Sequence, residues 1–160
     1  MAGHHDRTSF SCGVDPLDRY FRQQASQDIR RRVANCFVMT EAGTGAVAGY
    51  YTLAATNVLL RELPASLVGR LPRYPTVPAG LLGRLAVATV FQGRKLGSVL
   101  LMDAIDRTAR ADLGTFAVVV DPKDDGARRF YERHGFAELP APERRMFLPI
   151  EATLQFVREG

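Results

Sequence analysis

The sequence predicts an α+β (mixed α/β) fold, and three stretches of it carry that expectation. An apolar segment, Leu81 to Val87, leads into a glycine-bearing turn, an amphipathic helix and then the continuous apolar run Phe116 to Val120. A strand–helix–strand unit of this kind joins parallel strands by a right-handed crossover. Upstream, Cys36 to Thr40 and Val47 to Leu53 are rich in Val, Phe, Tyr and Thr and flank Gly43-Thr44-Gly45, the pattern of a hairpin. Downstream, a helix that stops at Gly135 is followed by short apolar segments at Phe136 and Met146-Phe147-Leu148, which read as two last strands.

The 160 residues leave room for a single domain, 1–160, with a full core. Apolar residues at 46% and charged residues at 24% are ordinary for a globular chain. The net charge of +4 has two readings: arginine-rich surface for solubility, or a footprint for a polyanion. The 2 cysteines, Cys12 and Cys36, make neither a disulfide framework nor a metal-spaced pair, which fits a reducing compartment. Met1 to Arg7 carry no apolar core of a signal peptide, and no apolar stretch approaches the roughly 20 residues that span a bilayer. The expectation is a cytoplasmic protein with no membrane association.

In chain order, Asp15-Pro16 followed by Asp18 predicts a helix start: a capping side chain, an early proline and acid in the first turn. Leu17, Tyr20, Phe21 and Ala25 recur at helical spacing, and the helix is expected to reach about Arg32. Arg30-Arg31-Arg32 there either complements the helix dipole or binds a ligand. After the hairpin, residues 61–80 are expected to hold a short helical piece and a proline-rich irregular segment, Leu71 to Pro78. A helix from Ser98 to about Ala111 would present Leu100, Leu101, Ala104, Ile105 and Ala109 inward. Phe116 to Val120 is expected to be buried on both faces. Asp124 or Asp125 caps the next helix, and Glu151 to Glu159 is expected to form a terminal one.

The segment Gln92-Gly93-Arg94-Lys95-Leu96-Gly97 is the most informative. A glycine-bearing turn at a helix N-terminus exposes unpaired N–H groups beside the positive end of the helix dipole. Such a place holds a pyrophosphate without a metal. The dinucleotide fingerprint G-x-G-x-x-G does not fit, because the glycines are Gly93 and Gly97; nor does any Gly-Lys-Ser/Thr follow as in a nucleotide P-loop. From these residues alone, a merely structural turn stays open.

With the strand before it, the buried strand after it, and a later helix carrying Phe130-Tyr131-Glu132 and then Gly135-Phe136, the chain resembles the GNAT superfamily of N-acetyltransferases over about residues 35 to 150. The resemblance implies a mostly antiparallel twisted sheet with a splayed parallel strand pair and flanking helices. It implies acetyl-CoA as co-substrate, its pyrophosphate on Gln92, Gly93, Arg94, Lys95, Leu96, Gly97 and Ser98, and its pantetheine amides along Leu85, Ala86 and Val87. Asp124, Ala127 and Phe130 are implied to border the cofactor. No metal is expected. Phe10-Ser11-Cys12-Gly13, Tyr50-Tyr51-Thr52-Leu53, Arg73-Tyr74-Pro75, Leu82-Gly83-Arg84-Leu85-Ala86-Val87 and Lys123-Asp124 are similar to the GNAT toxins of bacterial toxin–antitoxin modules. That likeness implies acetylation of the α-amino group of aminoacyl-tRNA, a ribbon-helix-helix antitoxin, operator DNA bound only through that antitoxin, and a homodimer.

This chain departs from the family pattern at three places. Lys95 stands where the family usually has its middle glycine, Ala88 replaces an aspartate that often follows the strand, and little chain precedes Phe10. If Lys95 needs a positive φ, the cost is roughly 1–2 kcal/mol; its charge beside phosphates would offset it.

An α-amine has a pKa of roughly 8, against about 10.4 for lysine, so a useful neutral fraction exists without a strong base. The motif region offers none, in keeping with an α-amino acceptor. Tyr131 shares a predicted helix face with Ala127, Phe130 and His134. It is either a core aromatic with a satisfied hydroxyl or, as the family implies, the acid that protonates the leaving thiolate. A backbone N–H near Val87 would hold the thioester oxygen. An acetyl-cysteine route through Cys12 or Cys36 with His134 has no supporting pattern. His4-His5 reads as an N-terminal pair rather than a metal site, and His134 as a dipole-complementing residue. Arg30, Arg73, Arg84 and Arg145 are candidates for a tRNA groove, since arginine suits bidentate phosphate contact. The alternatives are a GNAT acting on a small-molecule amine or a protein N-terminus, and a non-enzymatic CoA-binding component of a repressor complex.

Overall fold

A computed structural model describes residues 5–69, 71, 74–140 and 144–151. Along the chain lie α1 (Asp15–Arg19), a π-helical turn (Tyr20–Gln24), α2 (Ala25–Arg30), β1 (Asn35–Thr40) and β2 (Val47–Leu59). They are followed by α3 (Ala65–Val68), β3 (Thr76–Val87), α4 (Leu96–Ala109), β4 (Ala117–Val120), α5 (Asp125–Arg133), β5 (Ala137–Glu138) and β6 (Met146–Pro149). The sheet order is β1-β2-β3-β4-β6-β5, a mixed sheet with helices, as the predicted α+β class requires. The chain divides into two compact units, residues 1–54 with 82–106 and residues 55–81 with 107–160.

In the first unit, β1 and β2 pair antiparallel from Asn35↔Leu53 to Thr40↔Val47. The predicted hairpin is present, and Gly43 and Gly45 take φ of 93° and 72°, the left-handed conformations its turn needs. Strand β2 is longer than predicted, reaching Leu59.

The helix start also differs from the expectation. Val14 is the N-cap, with no side-chain cap, and Asp15 does not fill that role. The buried Asp18 instead turns back and accepts the Cys12 N–H through Oδ1 at 2.8 Å. The helix does not run evenly to Arg32: a π turn interrupts it, and Arg32 closes it with φ 59°. Its apolar side packs on the hairpin, where Phe21 stacks on Tyr50 at 4.5 Å and Phe10 meets Phe21 edge-on at 5.0 Å. No strand precedes α1 among the described residues.

Helix α4 begins at Leu96 and ends at Ala109, earlier at both ends than predicted. Leu100, Leu101, Ala104 and Ile105 are buried as its inner face. A Cβ on Gly49 would lie 2.7 Å from the Ala86 carbonyl oxygen and 2.8 Å from Leu100 Cδ1, so β2, β3 and α4 meet there only because the side chain is absent.

The second unit is built on β4, whose residues Ala117 to Val120 are all buried, as a strand covered on both faces should be. It pairs antiparallel with β6 from Ala117↔Pro149 to Val120↔Met146, and β6 pairs antiparallel with β5. Its core gathers Val58, Leu63, Val77, Ala79, Val119 and Phe147. The irregular segment expected up to Pro78 is shorter than that: β3 starts at Thr76, and the Pro78 carbonyl accepts the Phe116 N–H at 2.8 Å. Proline loses only its donor, so its acceptor still serves the sheet. The expected helical piece is present as a turn at Leu60–Glu62 and as α3. Residues 152–160, where the terminal helix was expected, lie outside the described residues.

Candidate active site

Strand β3 ends at Val87 and a short turn, Thr89–Phe91, buries Phe91 before the glycine segment opens α4. Ala88 sits 5% exposed in the Phe10–Phe21–Tyr50 core and donates its N–H to the Ala48 carbonyl at 2.8 Å. A carboxylate there would face apolar side chains, which accounts for the missing aspartate.

Gly93 and Lys95 both take left-handed conformations, φ 84° and 60°. Left-handed residues in such a turn curl successive N–H groups toward one side, a concavity suited to anions. Gln92, Gly93, Arg94 and Lys95 are exposed, and a Cβ on Gly93 would meet nothing within 4 Å. The turn is therefore open and bears the cations of Arg94 and Lys95 at the positive end of a 14-residue helix. Its donor set fits a diphosphate. Leu96, Gly97 and Ser98 form the first turn of α4.

Gln92 has a second role that its motif did not announce. Its side-chain amide donates to the carbonyls of Cys12 and Val87, each at 3.0 Å. This ties the turn to the end of β3 and to the segment before α1. Leu85 and Val87 are half-buried, while Ala86 is buried in the core.

In the second unit, Asp124 caps α5 by accepting the Ala127 N–H at 2.7 Å, and Gly135 follows its end with φ 90°. Ala127, Phe130 and His134 are half-buried and Tyr131 is buried, so the predicted shared face exists. The His134 Nδ1–H donates to the Phe130 carbonyl at 2.7 Å, which occupies that nitrogen at the helix end.

The Tyr131 ring packs against Phe130 at 5.2 Å and Phe136 at 5.4 Å. Only 9% of it is exposed, and burial raises its phenol to about 12. Its hydroxyl has no hydrogen-bond partner among the described residues, whereas those of Tyr20, Tyr50 and Tyr51 bond to Asp28, Leu17 and Asp103. The phenol is therefore protonated near neutral pH.

Both cysteines are reduced and buried, and burial pushes the Cys36 thiol up to about 11. A thiol so protonated is a poor nucleophile near neutral pH. Among the described residues no group of His, Cys, Asp and Glu is arranged to hold a metal, and no helix is long and apolar enough to cross a membrane.

The arginines are dispersed in role. Arg30 is exposed at the end of α2, and Arg73 lies outside the described residues. Arg145 is held by Asp121 through paired bonds of 2.9 and 3.1 Å. Arg84 lies 3.5 Å over the Tyr20 ring. The sequence placed Asp18 and Tyr20 on the first helix but gave no sign of the π turn or of their contacts to Cys12 and Arg84, since no spacing pattern links them to β3 or to the segment before α1.

Comparison with known proteins places this chain. The profile of the acetyltransferase (GNAT) family matches residues 4–136. A relative from Mycobacterium tuberculosis, a tRNA-acetylating toxin, is 38% identical over 145 residues, covering 89% of this chain and 85% of its own. The solved structure of AtaT complexed with acetyl-methionyl-tRNAfMet matches with a TM-score of 0.89 at 25% identity, over 96% of this chain and 92% of that one. AtaTR bound with AcCoA matches with a TM-score of 0.82 at 25% identity, over 96% and 92%.

Proposed function

The chain belongs to the GNAT family of acetyltransferases, and from that premise we propose that it moves the acetyl group of acetyl-CoA onto the α-amino group of an aminoacyl-tRNA. An acetylated α-nitrogen can no longer attack a peptidyl ester, so the product stops translation and the protein acts as a toxin. The observation that carries the acceptor is the 38% identity to a tRNA-acetylating toxin along 89% of the chain.

Acetyl-CoA supplies an acyl group activated as a thioester; the chain's own residues do the rest. N–H groups of residues 93–98 and the cations of Arg94 and Lys95 hold the diphosphate. Gln92 fixes the turn through its bonds to Cys12 and Val87. The backbone of Leu85, Ala86 and Val87 pairs with the pantetheine amides, and the Val87 N–H polarises the thioester carbonyl. Asp124 fixes the start of α5, and Ala127 and Phe130 border the cofactor. The amine attacks as its neutral form, which roughly pKa 8 makes available near neutral pH. Tyr131 gives its proton to the leaving thiolate and is made whole by the proton that the new amide nitrogen sheds.

Arg30, Arg73 and Arg84 attract the RNA backbone. Arg145 contributes least, because Asp121 already neutralises it. The chain 1–160 works as one domain in the cytoplasm. It pairs as a homodimer and is restrained by a ribbon-helix-helix antitoxin, through which it reaches operator DNA. Incubation with labelled acetyl-CoA and either charged or deacylated tRNA tests the reading. Label confined to charged tRNA supports it. Label on deacylated tRNA, or only on free amines and protein N-termini, overturns it, and no transfer at all points to a non-enzymatic role.

A further inference from the structure

Asp18 lies on α1 and is only 5% exposed, and an acid is seldom so buried unless donors take up its oxygens. Here the donors come from the segment before the helix. Oδ1 accepts the Cys12 N–H at 2.8 Å, and Oδ2 accepts the Ser11 hydroxyl at 3.4 Å.

The other side of that segment faces the connection between β3 and α4. The Ser11 carbonyl accepts the Thr89 N–H at 2.8 Å and the Thr89 hydroxyl at 3.3 Å. The Cys12 carbonyl accepts the Gln92 side-chain amide at 3.0 Å, and the same amide reaches the Val87 carbonyl. All of these residues belong to the first unit.

The Ser11 carbonyl and the Cys12 N–H are the two poles of one peptide group. That group is planar and trans, so its N–H and its C=O point in opposite directions. Asp18 on one pole therefore sets the direction of the other, which is aimed at Thr89. Bonds in such a chain also polarise one another, so loss of the first weakens the second. The next carbonyl, that of Cys12, moves with the plane and holds Gln92.

Gln92 opens the turn in which Gly93 and Lys95 take φ of 84° and 60°. A lysine keeps a left-handed conformation only where its surroundings over-determine it. Above Gly93 the turn is open, since a Cβ there would meet nothing within 4 Å. The anchor at Gln92 supplies the constraint from below.

Resting on the acetyl-CoA site proposed above, we infer that Asp18 is a positioning residue for the cofactor turn. It acts at one remove: it orients the Ser11–Cys12 peptide, which fixes Thr89 and Gln92 and, through them, the N–H groups that grip the diphosphate.

Calorimetric titration of the full-length protein with acetyl-CoA, in the absence of any acceptor, tests this. Asp18→Ala is expected to bind about tenfold more weakly, the equivalent of one lost hydrogen bond. Asp18→Asn keeps an acceptor for the Cys12 N–H, though a weaker one, and should lose only about threefold. Gln92 is exposed, so Gln92→Ala folds, and it too should lose about tenfold. Because both residues act through one chain of bonds, the variant carrying Asp18→Ala and Gln92→Ala together should bind no more weakly than either alone. Losses that multiply overturn the inference. An unchanged Kd in both Asp18 variants does so as well, and a lowered urea midpoint beside it would mark a purely structural role. Should Asp18→Ala fail to fold, the same cycle with Asp18→Asn decides. The expected losses in a protein that leaves charged tRNA unlabelled would instead fell the acceptor proposed above and leave Asp18 in its role.

Discussion

Tyr131 is a buried phenol and Lys95 a side chain at positive φ, and each has a chemical reading. Burial favours the neutral phenol, so the Tyr131 hydroxyl keeps its proton near neutral pH and is available to the donor role proposed for it. Its ionisation near 12 leaves no falling limb below pH 10; the rate should rise with the acceptor amine through about pH 8 and then stay level. Tyr131→Phe keeps the ring and removes the proton. We expect kcat to fall by about 10²–10⁴-fold with little change in acetyl-CoA affinity, as steady-state kinetics and calorimetry would read. Lys95 holds φ 60° with a side chain. Lys95→Gly should raise the unfolding free energy of the unliganded protein by about 0.5–1 kcal/mol in a denaturant titration, after allowing for glycine's freer unfolded chain. The same variant should bind acetyl-CoA more weakly, with a deficit that shrinks as salt is added. Unchanged binding would mean that the ammonium does nothing for the diphosphate.

Among the elements, the junction of β2, β3 and α4 leaves no room for a methyl group at Gly49. Gly49→Ala forces backbone and Leu100 apart, and a loss of about 1–3 kcal/mol is expected in thermal unfolding. The hairpin, β4 and α5 with its Asp124 cap and Gly135 terminus were legible in the sequence, because each depends on its own residues: period, cap and turn glycine. Boundaries set by neighbours were not. Thr76 to Leu81 joined β3 despite Pro78 because its carbonyl still had Phe116 to pair with. The break at Tyr20–Gln24 has no local signal, and neither does the placing of Arg84 over Tyr20, with 63 positions of chain between them counted from 20 to 84. The glycine turn at 92–97 was legible as a turn, whereas the cross-ties of Gln92 to Cys12 and Val87 were not, since they depend on how the segment before α1 folds back.

At the scale of the whole molecule, the net charge of +4 matches a protein that handles both a diphosphate and an RNA. Tyr20, Tyr50 and Tyr131 all have their phenols pushed up, in each case chiefly by burial. The unfolded chain therefore ionises its tyrosines first, from about pH 10, and the folded state keeps its protons longer. Stability from these groups is complete below pH 10 and is lost as pH rises beyond it. Denaturant unfolding at pH 8, 9, 10 and 11 should show the drop only in the upper half of the series. The central claim concerns where the acetyl group goes. After reaction with acetyl-CoA, charged tRNA can be stripped in mild alkali and the released amino acid weighed by mass spectrometry. The account predicts an N-acetylated amino acid from the wild type and almost none from Tyr131→Phe. Free, unacetylated amino acid from a wild-type reaction that has consumed acetyl-CoA would contradict it.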